Sequence, residues 1–206
     1  MKLCVFDFDS TLMDGETIDI LADLKGCGDE VSTITEAAMR GELDFFESLT
    51  RRVAFLKGLD AKMAADRCAN LPFIEGAEDI IKTLKSKDYQ VIVFSGGFSL
   101  GTAPAREKLG FDMDFSNKLH AKDGVLTGLV GGEMMYSDSK GVMLQKLQAL
   151  LNISYEDTIA VGDGANDASM FEFAAKKIAF CAKPKLKEKA NIIIDTKDLR
   201  EIGKHI

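Results

Sequence analysis

Histidine is nearly absent from this chain: its 206 residues hold two, His120 and His205. A Ser-His-Asp or Cys-His device therefore has almost nothing to be built from, and any catalysis has to run on carboxylates, lysine or a metal. Cysteine is sparse too. Cys4, Cys27, Cys68 and Cys181 stand far apart, without the paired spacing of a zinc site or a redox dithiol, and they read as small buried hydrophobes of a reducing compartment. No stretch approaches the apolar length of a membrane helix, and one Lys followed by four apolar residues up to Asp7 is too little for a signal peptide. A soluble, cytoplasmic protein with no membrane partner is the expectation. Lys and Arg number 26 against 33 Asp and Glu, giving a net charge of -7, and no basic stripe gathers them. Nucleic acid is thereby excluded as a partner. There is also no internal repeat, low-complexity tract or flexible linker.

What is present is a 46% apolar chain, long enough for one domain with an insertion or for two small domains. Leu3 to Phe6 form a continuous apolar run, the pattern of a strand buried on both faces of a parallel sheet. Such a strand cannot carry ionised carboxylates in its middle. Asp7, Phe8 and Asp9 must lie at its C-terminal end, the edge where open α/β sheets place ligands. Spacing of two lets Asp7 and Asp9 lean toward one reacting group while Phe8 turns back into apolar packing.

Helical periodicity then predicts helices over 17–25, 31–40 and from about 45, the last opened by Asp44 and Glu47 as an Asp-type capping box, and a fourth from about Ala61 to Asn70 closed by Pro72. This is too long for a simple crossover. Residues 14–74 are expected to be an inserted helical cap, and residues 1–13 with 75–206 a catalytic core with alternating strands and helices. Gln90 to Phe94 read as a buried strand delivering Ser95, Gly96 and Gly97. A short segment around Met113 to Phe115 follows, and then a hairpin at about 117–132 turning at Asp123-Gly124. Thr158 to Val161 form another short strand, ending in Gly162-Asp163-Gly164-Ala165-Asn166-Asp167. Ile178 to Phe180 and Ile192 to Ile194 complete the sheet. The fold class is α/β: a Rossmann-like three-layer core with a parallel sheet plus the inserted cap.

Three strand ends thus open toward one edge, bringing Asp7, Asp9, Ser10 and Thr11, then Ser95 to Gly97, then Asp163, Asn166 and Asp167. Lys140 begins the helix between the last two. Carboxylates, hydroxyls, close-approach glycines and one cation suit magnesium and phosphate. A phosphate dianion at ~4 Å from Asp7 meets repulsion of about 4 kcal/mol per unit charge pair at an effective dielectric of 20. Lys140 alone cannot offset that, whereas Mg²⁺, which prefers hard oxygen ligands, can. Each piece has an ordinary structural explanation when taken singly: a turn cap, a common Ser-Gly-Gly turn, a solvated lysine. The Gly162 to Asp167 loop is the most specific, and it is not an EF-hand, since the twelfth position from Asp163 is Ala174.

In this order, DFDST at Asp7 to Thr11, SGG at Ser95 to Gly97, Lys140, and GDGAND at Gly162 to Asp167 resemble the four motifs of the haloacid dehalogenase superfamily of phosphatases. The likeness covers nearly the whole chain and is closest to the branch that hydrolyses O-phosphoserine in the last step of serine biosynthesis; ETIDIL, AMRGELDF, SLTRRV and AFCAKP add to it. The resemblance implies a nucleophilic Asp7 that becomes an aspartyl-phosphate, and an Asp9 that protonates the leaving oxygen and then activates water. Asp9 must then start protonated, which nearby negative charge favours. It further implies Mg²⁺ held by Asp7, the Asp9 carbonyl and Asp163, with Asn166 and Asp167 in support. Ser95, Gly96 and Lys140 would hold phosphoryl oxygens, with Thr11 supporting. From the cap, Glu16 and Arg52 would meet the substrate ammonium and carboxylate, an Arg fork suiting two carboxylate oxygens. Met39 and Phe45 would form an apolar lid. The expected partner is this small molecule, met by a monomer or homodimer. Ser99 departs from the family, where an acidic residue is common after SGGF, so that loop's substrate contacts are less defined. A phosphotransferase of the same superfamily, or a phosphatase acting on phosphothreonine or phosphohomoserine, would share the motifs. A non-catalytic receiver domain also phosphorylates a strand-end Asp but needs no such cap.

Overall fold

A computed structural model describes all 206 residues. The core is a seven-stranded sheet in the order β4-β3-β2-β1-β5-β6-β7. Its strands are β1 (Lys2–Asp7), β2 (Tyr89–Phe98), β3 (Met113–Lys122), β4 (Val125–Gly132), β5 (Thr158–Gly162), β6 (Lys176–Phe180) and β7 (Ile192–Ile194). All neighbours are parallel except β3 and β4, which pair antiparallel.

β1 sits in the middle. From it the chain builds outward through β2 on one side and later returns to β5 on the other, so the ends of these three strands flank the point where the strand order reverses. The unbroken apolar character of β1 has the structural reason inferred from it: Cys4 and Phe6 pack into one core cluster with Val91, Val93 and Val161, while Leu3 and Val5 pack into a second on the opposite face with Ile92, Phe94 and Ala160. Helices cover both faces.

Between β1 and β2 lie α1 (Thr17–Lys25), α2 (Gly28–Met39), α3 (Phe45–Ala54) and α4 (Ala61–Cys68), followed by α5 (Ala77–Ser86). Their own apolar cluster joins Ile18, Leu21, Val31, Leu49, Val53 and Leu56 to Phe98, Leu126 and Met135 from the sheet side. Asp44 caps α3 by accepting the Glu47 N–H at 2.7 Å, but the capping box stays half formed because the Glu47 carboxylate pairs with Arg51 instead. After β2 come α6 (Ser99–Leu109), α7 (Ser139–Leu151), α8 (Ala168–Phe171) and α9 (Pro184–Lys187).

Two strand readings need correction. β3 runs unbroken from Met113 to Lys122, so the short segment at Met113 and the first hairpin arm are one strand. β2 continues through the Ser-Gly-Gly sequence to Phe98, with an irregularity in its pairing between Ser95 and Phe98. Asp123 and Gly124 both have positive φ, 52° and 81°, the turn that an Asp-Gly pair favours. This hairpin does more than edge the sheet: Leu126 exchanges backbone hydrogen bonds with Gly58 and Leu59, and the Ala61 N–H donates to the Gly124 carbonyl. It thereby props the link between α3 and α4.

Candidate active site

The chain leaves β1 through a tight loop. N–H groups of Thr11, Leu12 and Met13 all donate to the Phe8 carbonyl, and Ser10, with φ of 58°, donates its N–H to the Gly15 carbonyl. Phe8 is fully buried in the core, while Asp7 and Asp9 both line a cavity of about 200 Å³.

Lys140 is the hinge of the charge arrangement. Its Nζ donates at 2.5 Å to Asp7 Oδ1 and at 2.5 Å to Asp167 Oδ1, and it is almost completely buried. Asp7 Oδ1 also accepts the Phe8 N–H at 2.7 Å, so this oxygen is held by two donors and Oδ2 by none. Asp167 has both oxygens engaged, because its Oδ2 accepts the N–H groups of Asp163 and Gly164 at 3.0 and 2.9 Å. Asp7 Oδ2 and the Asp163 carboxylate accept from no N–H, ammonium or hydroxyl group but lie close enough to interact with each other, and ligand atoms of Asp7, Asp163 and Asp167 lie within 4.8 Å of one another.

Three buried carboxylates crowd around the Lys140 ammonium, and the acidities of Asp7 and Asp163 register it. Burial first, then the Asp167 charge, pushes Asp7 well above the usual carboxylate range despite the pull of Lys140. The same two causes push Asp163 up to about 6. Burial on its own would lower Lys140, but Asp167 and Asp7 hold it above the ordinary lysine value. A divalent cation with hard oxygen ligands matches this surplus of negative charge and the oxygens of Asp7 and Asp163 that no donor holds, so the donor set fits a metal of this kind.

Asp9 accepts three hydrogen bonds. Thr17 gives Oδ1 both its N–H (2.6 Å) and its hydroxyl (2.5 Å), and the Ser95 hydroxyl donates to Oδ2 at 3.0 Å. Ser95 in turn accepts the Gly97 N–H at 2.9 Å. The two glycines after it are needed for separate reasons: a Cβ at Gly97 would come within 2.5 Å of Asp9 Oδ2, and one at Gly96 within 2.8 Å of the Phe45 ring. Fully buried Asn117 ties this loop down, donating to the carbonyls of Gly96 and Met134.

The far wall comes from the helices. Glu16, Asp19 and Arg52 line the cavity with Phe45 and Leu49. Glu16 accepts the Ser10 hydroxyl at 2.7 Å, and burial, with the Asp9 charge next, pushes it up to about 7. Arg52 bonds within the protein only through Nε, to the Ser48 carbonyl, so its terminal nitrogens are open to a ligand. Burial lowers its pKa, with Glu16 and Asp19 opposing.

Of the residues singled out in the sequence, Asp7, Asp9, Glu16, Phe45, Arg52, Gly96, Asp163 and Asn166 line this cavity, and Ser95, Lys140 and Asp167 stand directly behind it through hydrogen bonds. Thr11 is buried nearby with no partner for its hydroxyl. Met39 is not brought in: it is 68% exposed, and Thr35 is what α2 contributes to the wall. Sequence reasoning missed Thr17, Asp19, Asn117 and the cavity-lining Lys183. For Thr17 and Asn117 no local pattern could have revealed them, since their partners come from strand ends and loops that only the fold brings near. Lys183 lay in a stretch noted for its resemblance but given no role.

The haloacid dehalogenase-like hydrolase profile matches residues 1–174. A phosphoserine phosphatase of Wolinella succinogenes is 65% identical over 206 residues, covering all of both chains. Two solved structures, one described as a phospho-aspartyl intermediate analogue of phosphoserine phosphatase and one as a substrate-bound phosphoserine phosphatase complex, each superpose with a TM-score of 0.94 at 51% identity, covering 100% of this chain and 98% of the other. The chain belongs to the haloacid dehalogenase-like hydrolases.

Proposed function

We propose that this chain hydrolyses O-phosphoserine to serine and phosphate through an aspartyl-phosphate on Asp7. The observation that carries the substrate is the pairing of Glu16 with the open guanidinium of Arg52 in the cavity that Asp7 lines. These offer one partner for an ammonium and one for a carboxylate beyond a phosphate, and the relatives named above carry this substrate in their names.

Asp7 attacks phosphorus with Oδ2, the oxygen not committed to Lys140 and the Phe8 N–H. As the bond to the serine oxygen breaks, Asp9 gives that oxygen a proton; it later takes one from the water that opens the phospho-enzyme. Both Asp9 oxygens accept hydrogen bonds in this arrangement, so the acid form requires the Ser95 hydroxyl to turn from Oδ2 toward a phosphoryl oxygen. Gly96 leaves room for backbone approach, and Lys140 keeps Asp7 aimed while countering charge on the transferring group. Asp7 and Asp163, with the Asp9 carbonyl, would hold Mg²⁺, supported by Asn166 and Asp167. When bound, the ion neutralises charge between these carboxylates and the substrate dianion. Residues 14–74 act as the specificity cap, with Phe45 seated against Gly96 as its apolar lid; Met39 has no part in this closed arrangement.

Phosphate release measured on O-phosphoserine, O-phosphothreonine and a sugar phosphate, with Mg²⁺ and with EDTA, tests this reading. The expected result is fast release from phosphoserine alone, lost in EDTA. Equal rates on the sugar phosphate contradict the substrate, and activity surviving metal removal contradicts the metal.

Glu16 also sets a pH limb. Burial and the Asp9 charge push its carboxyl up to about 7 and it must be ionised to meet an ammonium, so kcat/KM, which reports the free enzyme, should rise with pH through that value and level above it. Glu16→Gln should lower kcat/KM by about 10-fold or more and remove this limb; a limb unchanged in the variant assigns it elsewhere.

A further inference from the structure

We infer that Thr17 is a positioning residue for Asp9, and that docking of helix α1 and orientation of the Asp9 carboxylate are a single event. The inference rests on the proton-carrying role of Asp9 proposed above. Thr17 is fully buried at the first position of α1, and it directs two donors, N–H and Oγ1, onto the same oxygen, Asp9 Oδ1, at 2.6 and 2.5 Å. The only other acceptor near its hydroxyl is Met13 Sδ at 3.6 Å, a weak one.

The start of α1 shows why the contact joins two parts of the molecule. The residue preceding α1, Glu16, makes no side-chain cap; its carboxylate is turned to Ser10 instead. The Thr17 N–H, one of the first-turn donors that have no partner within a helix, is satisfied here by a carboxylate from the sheet edge. Asp9 is thus both the group facing the substrate and the cap of the first inserted helix. With Oδ1 held by Thr17, Oδ2 is the oxygen left to exchange a proton, and it occupies the space that the missing side chain of Gly97 leaves open, since a Cβ there would come within 2.5 Å of it. If α1 lifts away, Asp9 loses both Oδ1 donors together and its carboxylate is free to rotate.

The hydroxyl can be removed while shape is kept. Thr17→Val retains the backbone N–H and the branched side chain but lacks the second donor; Thr17→Ser keeps it. Thr17→Val should lower kcat on O-phosphoserine about 10-fold or more, within the range of a misplaced general acid, with KM changed less than about twofold and an unaltered melting curve. Thr17→Ser should recover at least half of the parental kcat. With p-nitrophenyl phosphate, whose leaving group needs little protonation, the burst of nitrophenolate should be slowed by Thr17→Val less than about threefold. A parental kcat in Thr17→Val, a Thr17→Ser as slow as the valine variant, a loss expressed in KM, or a burst slowed as much as phosphoserine turnover overturns the inference. Asp9→Asn is measured beside them: parental turnover in that variant would remove the role of Asp9 itself, whereas an inactive Asp9→Asn beside a fully active Thr17→Val rejects Thr17 alone.

Discussion

Asp7→Asn should abolish steady-state turnover, by at least ~10⁴-fold, the scale on which loss of a nucleophile is felt in covalent catalysis. The substitution is nearly isosteric. The amide oxygen can still accept from Lys140 and the Phe8 N–H, the two donors that hold Oδ1 now, so the loss is chemical and not a collapse of the site. Stability should move the other way. Burial and the Asp167 charge raise the Asp7 carboxyl above its ordinary value of 3.8. Between that value and the raised native one, the folded state holds a proton that the unfolded state releases, so stability falls as pH rises through the window and the ionised group is a cost at neutral pH. Removing the charge relieves that cost. In metal-free buffer at pH 7, Asp7→Asn should melt no lower than the parent protein while being inactive; a variant that is inactive because it is unfolded contradicts this.

Lys140→Met should impair both stability and activity. The ammonium bonds to two buried carboxylates at 2.5 Å each, and without it Asp7 and Asp167 lose the cation bonded to them, leaving only Lys183, acting on Asp163, to counter the cluster. Removing one partner of a buried charge pair typically costs about 3–5 kcal/mol, which urea denaturation in EDTA would register at neutral pH. The deficit should shrink on acidification, because Asp7 and Asp163 already have raised affinities for protons, and it should shrink again with Mg²⁺ present. Turnover should fall about 10³-fold even with Mg²⁺, as for loss of a preorganised group opposite developing charge. Equal denaturation midpoints with and without the substitution in EDTA would show that Lys140 does not hold the cluster together.

Both results depend on contacts between residues 133 and 27 positions apart, and such distance separates what was legible in the sequence from what was not. The strand at Leu3 to Phe6 was legible because burial on two faces leaves a continuous apolar run, and its carboxylates had to fall at the end. The polar endings of β2 and β5 were legible for the same reason, and a parallel sheet then requires all three to meet. Boundaries were less so. The pause read between Phe115 and Lys118 is no pause, because pairing with β2 and then β4 carries one strand across polar residues that lack a strand pattern of their own. Met39 shows the limit of reading a helix face: its apolar side chain at helical spacing suited a lid, but α2 presents Thr35 to the cavity and leaves Met39 in solvent. Thr17 was read only as the start of a helix. Its second role exists because the loop from Asp9 to Glu16 folds back so that the helix start reaches the carboxylate, a closure no local pattern encodes.

The central claim is that Asp7 carries the phosphoryl group during turnover. Acid quenching of the enzyme during turnover of O-phosphoserine with Mg²⁺, followed by mass spectrometry of the peptide containing Asp7, tests it most directly. A phosphoryl group is expected on Asp7 in the parent protein and none in Asp7→Asn. Rapid turnover with no phosphoryl adduct at any quench time, or an adduct on another residue, would contradict it.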